Sequence, residues 1–498
     1  MKQIFEIDKI FEVGNIIISI KSFITKDSRV KIVVKFFNFI SICLFFKDKN
    51  IYSKEIRNII IENYGILSKH CPIFEIGNII ISIKSFITKD SRVKIVVKFF
   101  NFISICLFFK DKNIYSKEIR NTYIIDYEIL EKFRPIYVKY DKKDKFETDI
   151  KTIAWYLPQF HTFKENDEWW GKGFTEWTNV KKALPLYDGH YQPRTPHKDI
   201  GYYDLSDVNV MRKQVEIAKN YGLYGFCFYH YDFSGKRLMQ KVVDNYIKYK
   251  DIDFNFCLSY ANENWTKKWD GAENDILIKQ DYSEKNDKKF IESLQVYLDD
   301  KRYIRIDDKP VLLVYKPFIF PNINKTTEIW RNYQIKKTVK DLFLIFTVSA
   351  LFDKSKCEAK YFGFDEYVDF TIHNAMNGRK LRVNGKANVR SYREFVNEIV
   401  NLDNFANIKS YKDLFLMWDN SPRTKKHSIL DNFSFDLYRE WIKYNIKYTR
   451  ENFNKDRRFM FINAWNEWGE GTYLEPDEKN GYMALNILYE ELLKFSNK

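Results

Sequence analysis

The sequence predicts an α/β protein, a (β/α)8 TIM-type barrel preceded by a small N-terminal region with a tandem repeat. Three observations carry that reading. Residues 11–58 return almost unchanged as 74–121; beyond residue 150, eight short apolar runs alternate with longer amphipathic segments; and most of those runs end in polar or aromatic groups.

The repeat comes first along the chain. Phe11 to Asn58 recurs as Phe74 to Asn121 with Val13 replaced by Ile76, and the offset from Phe11 to Phe74 is 63 residues. NYGILSKHCPI from Asn63 still resembles DYEILEKFRPI from Asp126, so the units run over about 11–73 and 74–136 within a region spanning 1–140. Two copies are too few for a solenoid. IIISIKSF and KIVVKFFNFISICLFF predict strands. The region reads as a structural appendage, with docking to a membrane surface or a partner as the alternative. DKKDKFETD, residues 141–149, is charged and reads as a linker.

From residue 150 to 498 the pattern is that of the barrel. The eight runs are KTIAWYLPQ from Lys151, GLYGFCFYHY from Gly222, DFNFCLSYANENW from Asp253, KPVLLVYKP from Lys309, DLFLIFTVSA from Asp341, YVDFTIHNA from Tyr367, DLFLMWDNSP from Asp413 and RFMFINAWNEW from Arg458. Their near-continuous apolar character fits parallel strands covered on both faces, and eight such β units separated by helical segments close into a barrel.

Composition is consistent with this. A chain of 498 residues suits one large barrel plus an appendage, and 45% hydrophobic with 30% charged residues excludes a disordered chain. The formal net charge of +15 would suit an acidic partner if it were clustered, but the lysines are dispersed. No nucleic-acid partner is expected; peripheral attraction to the anionic inner face of a membrane fits better. Cys43, Cys71, Cys106, Cys227, Cys257 and Cys357 form no CxxC pair and read as reduced, buried side chains of a cytoplasmic chain. The first residues lack a secretory cleavage pattern, and the best spanning candidate, Ile32 to Phe46, is too short and contains Lys35.

In a barrel the C-terminal strand ends converge on one face, where active sites are built. Those ends supply the substrate-binding candidates: Tyr156, Gln159 and His161 after the first run, Tyr229 and His230 after the second, and Asn262, Glu263 and Trp265 after the third. Asn374 follows the sixth, Trp418 and Asp419 the seventh, and Asn463, Trp465 and Asn466 the eighth. The segment WWGKGFTEWTNV from Trp169 adds Trp170, Glu176 and Trp177, two of them flat faces for the apolar side of a sugar ring and one a carboxylate.

Glu467 and Glu470 are the catalytic candidates. They lie three residues apart in NAWNEWGEGTYLEP, a spacing that puts both carboxylates on one side of a helical turn. Two close carboxylates can divide acid and base work at a glycosidic bond. The structural alternative is that the pair caps a helix or shapes a turn. His161, His190, His197 and His230 show neither HxH nor HExxH spacing, and no GxxxxGK[ST] or strand-following GxGxxG occurs, so neither metal nor cofactor is expected.

AWYLPQFH, WWGKGFTEWTNV, YGFCFYHY, ANENW and NAWNEWGEGTYLEP, in that order, resemble the WbsX-like proteins of bacterial polysaccharide gene clusters, relatives of glycoside hydrolase family 99. The resemblance spans about residues 151–488 and implies a TIM barrel and glycosyltransferase activity in O-antigen, lipopolysaccharide or capsule synthesis. Implied partners are an oligosaccharide or polysaccharide, with a nucleotide-sugar donor or a lipid-linked acceptor. The hydrolase relatives imply the alternative of a retaining endo-acting hydrolase. There, Glu470 is the acid/base, and Glu467 deprotonates the sugar 2-hydroxyl to give a 1,2-anhydro intermediate. Gly469 stands where those hydrolases commonly carry histidine. A second alternative is a non-catalytic glycan-binding barrel in an assembly complex.

Overall fold

All eight apolar runs fold into strands: β1 (Lys151–Tyr156), β2 (Gly225–Phe233), β3 (Asn255–Tyr260), β4 (Lys309–Val314), β5 (Phe343–Val348), β6 (Glu366–Asp369), β7 (Lys412–Leu414) and β8 (Phe459–Ile462). This computed structural model describes residues 5–13, 16–24, 30–36, 41–46, 74–76, 79–87, 93–100, 137–267, 272–348, 358–372, 381–401 and 409–496. Each strand pairs in parallel with the next, and β8 pairs with β1. The ring closes between β6 and β7 through a parallel bridge from Val368 to Tyr411. There Asp369 N donates to Tyr411 O at 2.9 Å, and Tyr411 N donates to Tyr367 O at 2.8 Å.

Helices α1 (Lys164–Trp170) and α2 (Glu176–Lys182) lie in the long segment after β1, which ends in α3 (Val208–Asn220). Then α4 (Gln240–Lys248) follows β2, α5 (Glu284–Leu298) follows β3 and α6 (Ile323–Thr338) follows β4. A 3-10 turn, Ala359–Phe362, precedes β6; α7 (Tyr392–Asn401), α8 (Phe435–Asn452) and α9 (Met483–Lys494) follow β6, β7 and β8. Local chemistry sets the starts: the side chains of Asp207, Asn322 and Ser434 accept from backbone N–H groups in the first turns of α3, α6 and α8.

Strand alternation decides which side chains can reach a substrate. On β1, Trp155 points into the lumen, meeting Phe370 and Phe461 at ring separations of 5.2 and 5.1 Å. Tyr156 points outward, its hydroxyl donating to Gln214 of α3 at 2.6 Å. On β2, Phe228 packs outward on Tyr246 of α4, whereas Cys227 sits beside Cys257 of β3 on the inner side; both cysteines are free and buried.

The chain divides into two units, Met1–Arg134 and Pro135–Lys498, the second holding the barrel. In the first, Phe5–Val13, Ile16–Ile24, Val30–Phe36 and Ser41–Phe46 form an antiparallel meander, and Phe74–Ile76, Ile79–Ile87 and Val93–Phe100 form another. The repeat keeps its register, with Ile18 opposite Phe36 in one copy and Ile81 opposite Phe99 in the other. Among the described residues, no helix is long and apolar enough to cross a membrane.

The stretch 141–149, expected as a linker, is fastened along the barrel unit. Asn220 donates to Asp141 O at 2.9 Å and accepts from Lys143 N at 2.9 Å, Tyr489 donates to Asp144 O at 3.1 Å, and Phe146 packs edge-on against Tyr489. Asp149 is buried between Arg450 at 2.7 Å and Arg458. Removing one partner of a buried ionic group leaves the others uncompensated. Asp149→Ala should therefore cost about 3 kcal/mol in urea unfolding of the full chain; an unchanged midpoint would make this stretch a passive tether.

Candidate active site

The loop after β8 is a short hairpin in which Asn466–Glu467 pairs antiparallel with Thr472–Tyr473. A 3-10 turn, Trp468–Glu470, forms its tip, and Gly471 at φ +71 closes it. Three residues per 3-10 turn put Glu467 and Glu470 on one side, as the spacing predicts. Trp468 stacks on Tyr473 at 3.7 Å and donates its indole N–H to Glu475 at 2.7 Å. It and Trp465 are fully buried and offer no open faces.

Both carboxylates grip the guanidinium of Arg423, from the loop after β7. Arg423 meets Glu470 Oε1 at 2.8 Å, Glu467 Oε2 at 2.7 Å and, through Nε, Glu176 Oε1 at 2.6 Å. Glu176 begins α2, where its N–H donates to Gln159 O at 3.1 Å. Side-chain exposure rises from 0% at Glu176 to 8% at Glu467 and 29% at Glu470, so Glu470 is the member most open to a ligand.

Three carboxylates share one positive charge. Burial pushes Glu467 up to about 8; Arg423 opposes the shift, and the charges of Glu470 and Glu176 reinforce it. Gly469 makes the approach feasible, since a Cβ there would stand 2.0 Å from Glu176 Oε1 and 2.7 Å from Arg423 Nε.

Asp419 holds the loop that carries Arg423. Its N–H donates to Glu470 O at 2.8 Å, and its Oδ1 accepts from Ser421 N at 3.1 Å. Its Oδ2 accepts from His190 Nε2 at 2.9 Å, Gln192 at 2.7 Å and Arg194 at 3.2 Å. Leu186 N–H donates to His190 Nδ1, which leaves the proton on Nε2. Burial opposes ionisation of Asp419, but His190 and Arg194 outweigh it and keep the carboxyl well below its usual range. Expected to bind substrate, this carboxylate instead has its oxygens committed to the scaffold.

The other expectations divide by the way their side chains point. Tyr229 faces the lumen between Tyr315 and Tyr231, at 6.3 and 6.4 Å. Burial first, then the charges of Glu263, Glu467 and Glu470, hold the Tyr315 phenol well above its usual range, and Tyr231 responds to the same carboxylates. Glu263 itself is ion-paired with Lys316. Asn463 follows the inward Phe461 on β8. Trp265 meets Tyr231 edge-on at 5.1 Å, and Trp170 is half-buried beside Phe174 at 6.0 Å.

The rest make contacts of their own. Tyr156 points to α3. His230 alternates outward between Phe290 and Tyr297, where burial lowers it to about 3 and keeps it neutral. Gln159 bonds Asn166, His161 bonds Pro158 O at 2.9 Å, and Trp177 donates to Tyr203 O at 2.8 Å. Trp418 donates to Ser428, and Trp465 packs on Phe226. Asn262 and Asn466 each clamp a neighbouring strand end through two bonds: Asn262 to the N–H and O of Lys316, Asn466 to those of Leu157. Asn374 lies outside the described residues.

Arg423, Tyr315 and Lys316 are absent from the residues proposed on sequence. Tyr315 and Lys316 end β4, one of the two strand ends from which nothing was drawn, and Arg423 lies three residues past the polar run WDN.

The family described as glycosyltransferase WbsX matches residues 152–488. The uncharacterized WxcX proteins of two strains of Xanthomonas campestris pv. campestris are each 37% identical over 349 residues, which is 69% of this chain and 49% of theirs. The chain thus spans about half the length of these curated relatives. A solved glycoside hydrolase-like protein is similar at 13% identity and TM-score 0.46, over 72% of this chain and 98% of its own. The GH99 endo-alpha-mannosidase of Bacteroides thetaiotaomicron is similar at 13% identity and TM-score 0.43, over 70% of this chain and 99% of its own.

Gly469→Ala should lose about 3 kcal/mol of stability by prising Glu176 from Arg423. Glu176→Ala should cost a similar amount, and the double variant little more than either, because both act on one contact. Additive losses in chemical denaturation would refute this. An unfolded glutamate titrates near 4.3, whereas Glu467 holds its proton to about 8. The folded chain thus carries the extra proton in between, so stability should fall as pH rises across that window. Glu467→Gln should flatten the slope.

Proposed function

Because the chain belongs to the WbsX family of glycosyltransferases, we propose that its barrel makes or breaks glycosidic bonds at the Glu467/Glu470 pair during assembly of a bacterial cell-surface polysaccharide. The family is carbohydrate-active, and the observation that carries the reading is the sharing of one guanidinium by Glu176, Glu467 and Glu470 at a lumen mouth lined with tyrosines. Carboxylates in one cluster with unequal exposure are suited to different proton tasks.

In this reading Glu470, the more exposed, protonates the departing glycosidic oxygen. The proton that burial keeps on Glu467 in the free site passes to Glu470 when substrate is bound, so Glu467 is ionised and takes the proton of the neighbouring 2-hydroxyl, whose oxygen closes on the anomeric carbon to give a 1,2-anhydro sugar. An acceptor hydroxyl then opens that ring, passing its proton to Glu470 while Glu467 returns its own to the 2-oxygen, with net retention. Arg423 keeps both carboxylates in place and limits their mutual repulsion. With a sugar hydroxyl as acceptor the reaction is transfer, and with water it is hydrolysis. The close carboxylate pair favours keeping the retaining endo-hydrolase as the second reading.

A lipid-linked or polymeric glycan is the proposed acceptor and a nucleotide-sugar the proposed donor. The net charge of +15 supports work at the anionic inner face of a membrane.

The test is glycan turnover by mass spectrometry with wild-type, Glu467→Gln and Glu470→Gln proteins, offered α-linked oligosaccharides with and without nucleotide-sugar donors. Donor-dependent elongation, reduced at least about a hundredfold in both variants, is the expected result. Donor-independent cleavage with the same losses would replace transfer by hydrolysis. An inert wild-type protein that still binds glycan would leave a binding barrel.

A further inference from the structure

From the lumen tyrosines, a line of aromatic side chains runs away from the carboxylates. Tyr231 meets Trp265 edge-on, at 5.1 Å and 72°, and Trp265 lies against Trp169 at 6.1 Å and 33°. Trp265 opens the short strand Trp265–Lys267, and Trp169 sits in the last turn of α1. Both are backed by an apolar cluster separate from the barrel core, in which Phe233, Leu238 and Met239 are buried and Phe163 and Ile278 pack alongside. All three members of the line pack against that cluster and are half-buried.

Large half-open rings cost solubility, and Trp155, Trp330, Trp441, Trp465 and Trp468 are by contrast fully buried. The line also continues from the lumen, because Tyr231 lies 6.4 Å from Tyr229, whose ring in turn meets Tyr315 at 6.3 Å. Half-buried rings packed against an apolar cluster are suited to the apolar C–H face of a pyranose. Two ring-to-ring steps of 5.1 and 6.1 Å extend beyond a single sugar ring.

We propose that Tyr231, Trp265 and Trp169 form a distal subsite that stacks a sugar unit next to the reacting one, making an oligosaccharide, not a lone glycosyl unit, the substrate. This rests on the glycan-active reading of the same site. Tyr231 joins the reacting position to the platform, Trp265 carries the adjoining unit, and Trp169 sets how far along the chain recognition extends.

The experiment measures retention of the full-length protein on an array of bacterial surface glycans, from monosaccharide to hexasaccharide, with wild-type, Trp169→Ala and Trp169→Phe proteins whose folding is checked by circular dichroism. Wild type should hold the longer members of a series at least about tenfold better than the shortest. Trp169→Ala should flatten that preference, and Trp169→Phe should restore most of it. Equal preference in wild type and Trp169→Ala overturns the subsite while leaving the reading of the reacting site intact. Failure of wild type to hold any glycan overturns both.

Discussion

The guanidinium of Arg423 is the contact on which the mouth of this barrel depends. Glu176 arrives from the segment after β1, Arg423 from the loop after β7, and Glu467 and Glu470 from the hairpin after β8. Without a cation among them, three carboxylates in so dry a place would repel one another, and the loops would part. Lysine would not serve equally, because a point charge cannot present separate nitrogens in a plane to separate carboxylates. Asp419 extends the same logic one layer back, fixing the Arg423 loop through Ser421 while tying it to His190, Gln192 and Arg194.

Much of the fold was legible in the sequence, since long apolar runs have few other uses. All eight became strands, and the repeat became two meanders with matching register. The site was legible only in part. Glu467 and Glu470 were found because their spacing is local, and a 3-10 turn preserves it. Side-chain facing was harder to read, since polar or aromatic character at a strand end does not say which way the side chain points. Tyr229 and Tyr231 face inward while His230, between them, faces the helices. Asn262 and Asn466 are polar for another reason: they satisfy the backbone of a neighbouring strand end where parallel pairing stops.

Arg423 was beyond reach for a different reason. It lies past its strand, in a turn built on Asn420, whose carbonyl accepts from Arg423 N at 3.0 Å and Thr424 N at 3.2 Å. Only the course of that turn brings the side chain back over the lumen, between groups 247 and 44 residues away along the chain. Nothing in its immediate neighbours marks it out from the dispersed basic residues of this sequence.

Gly469 lends the cluster an evolutionary constraint. Its missing side chain is the space in which Glu176 and Arg423 meet, so the three positions cannot vary independently. A larger residue at 469 becomes tolerable once 176 or 423 has changed, and a shortened 176 or 423 opens a void that a larger 469 would fill. Such mutual dependence is epistasis with a steric cause: a relative with a bulky residue at this position must seat its carboxylates by some other means, and the identity of that single residue reports which arrangement it has inherited.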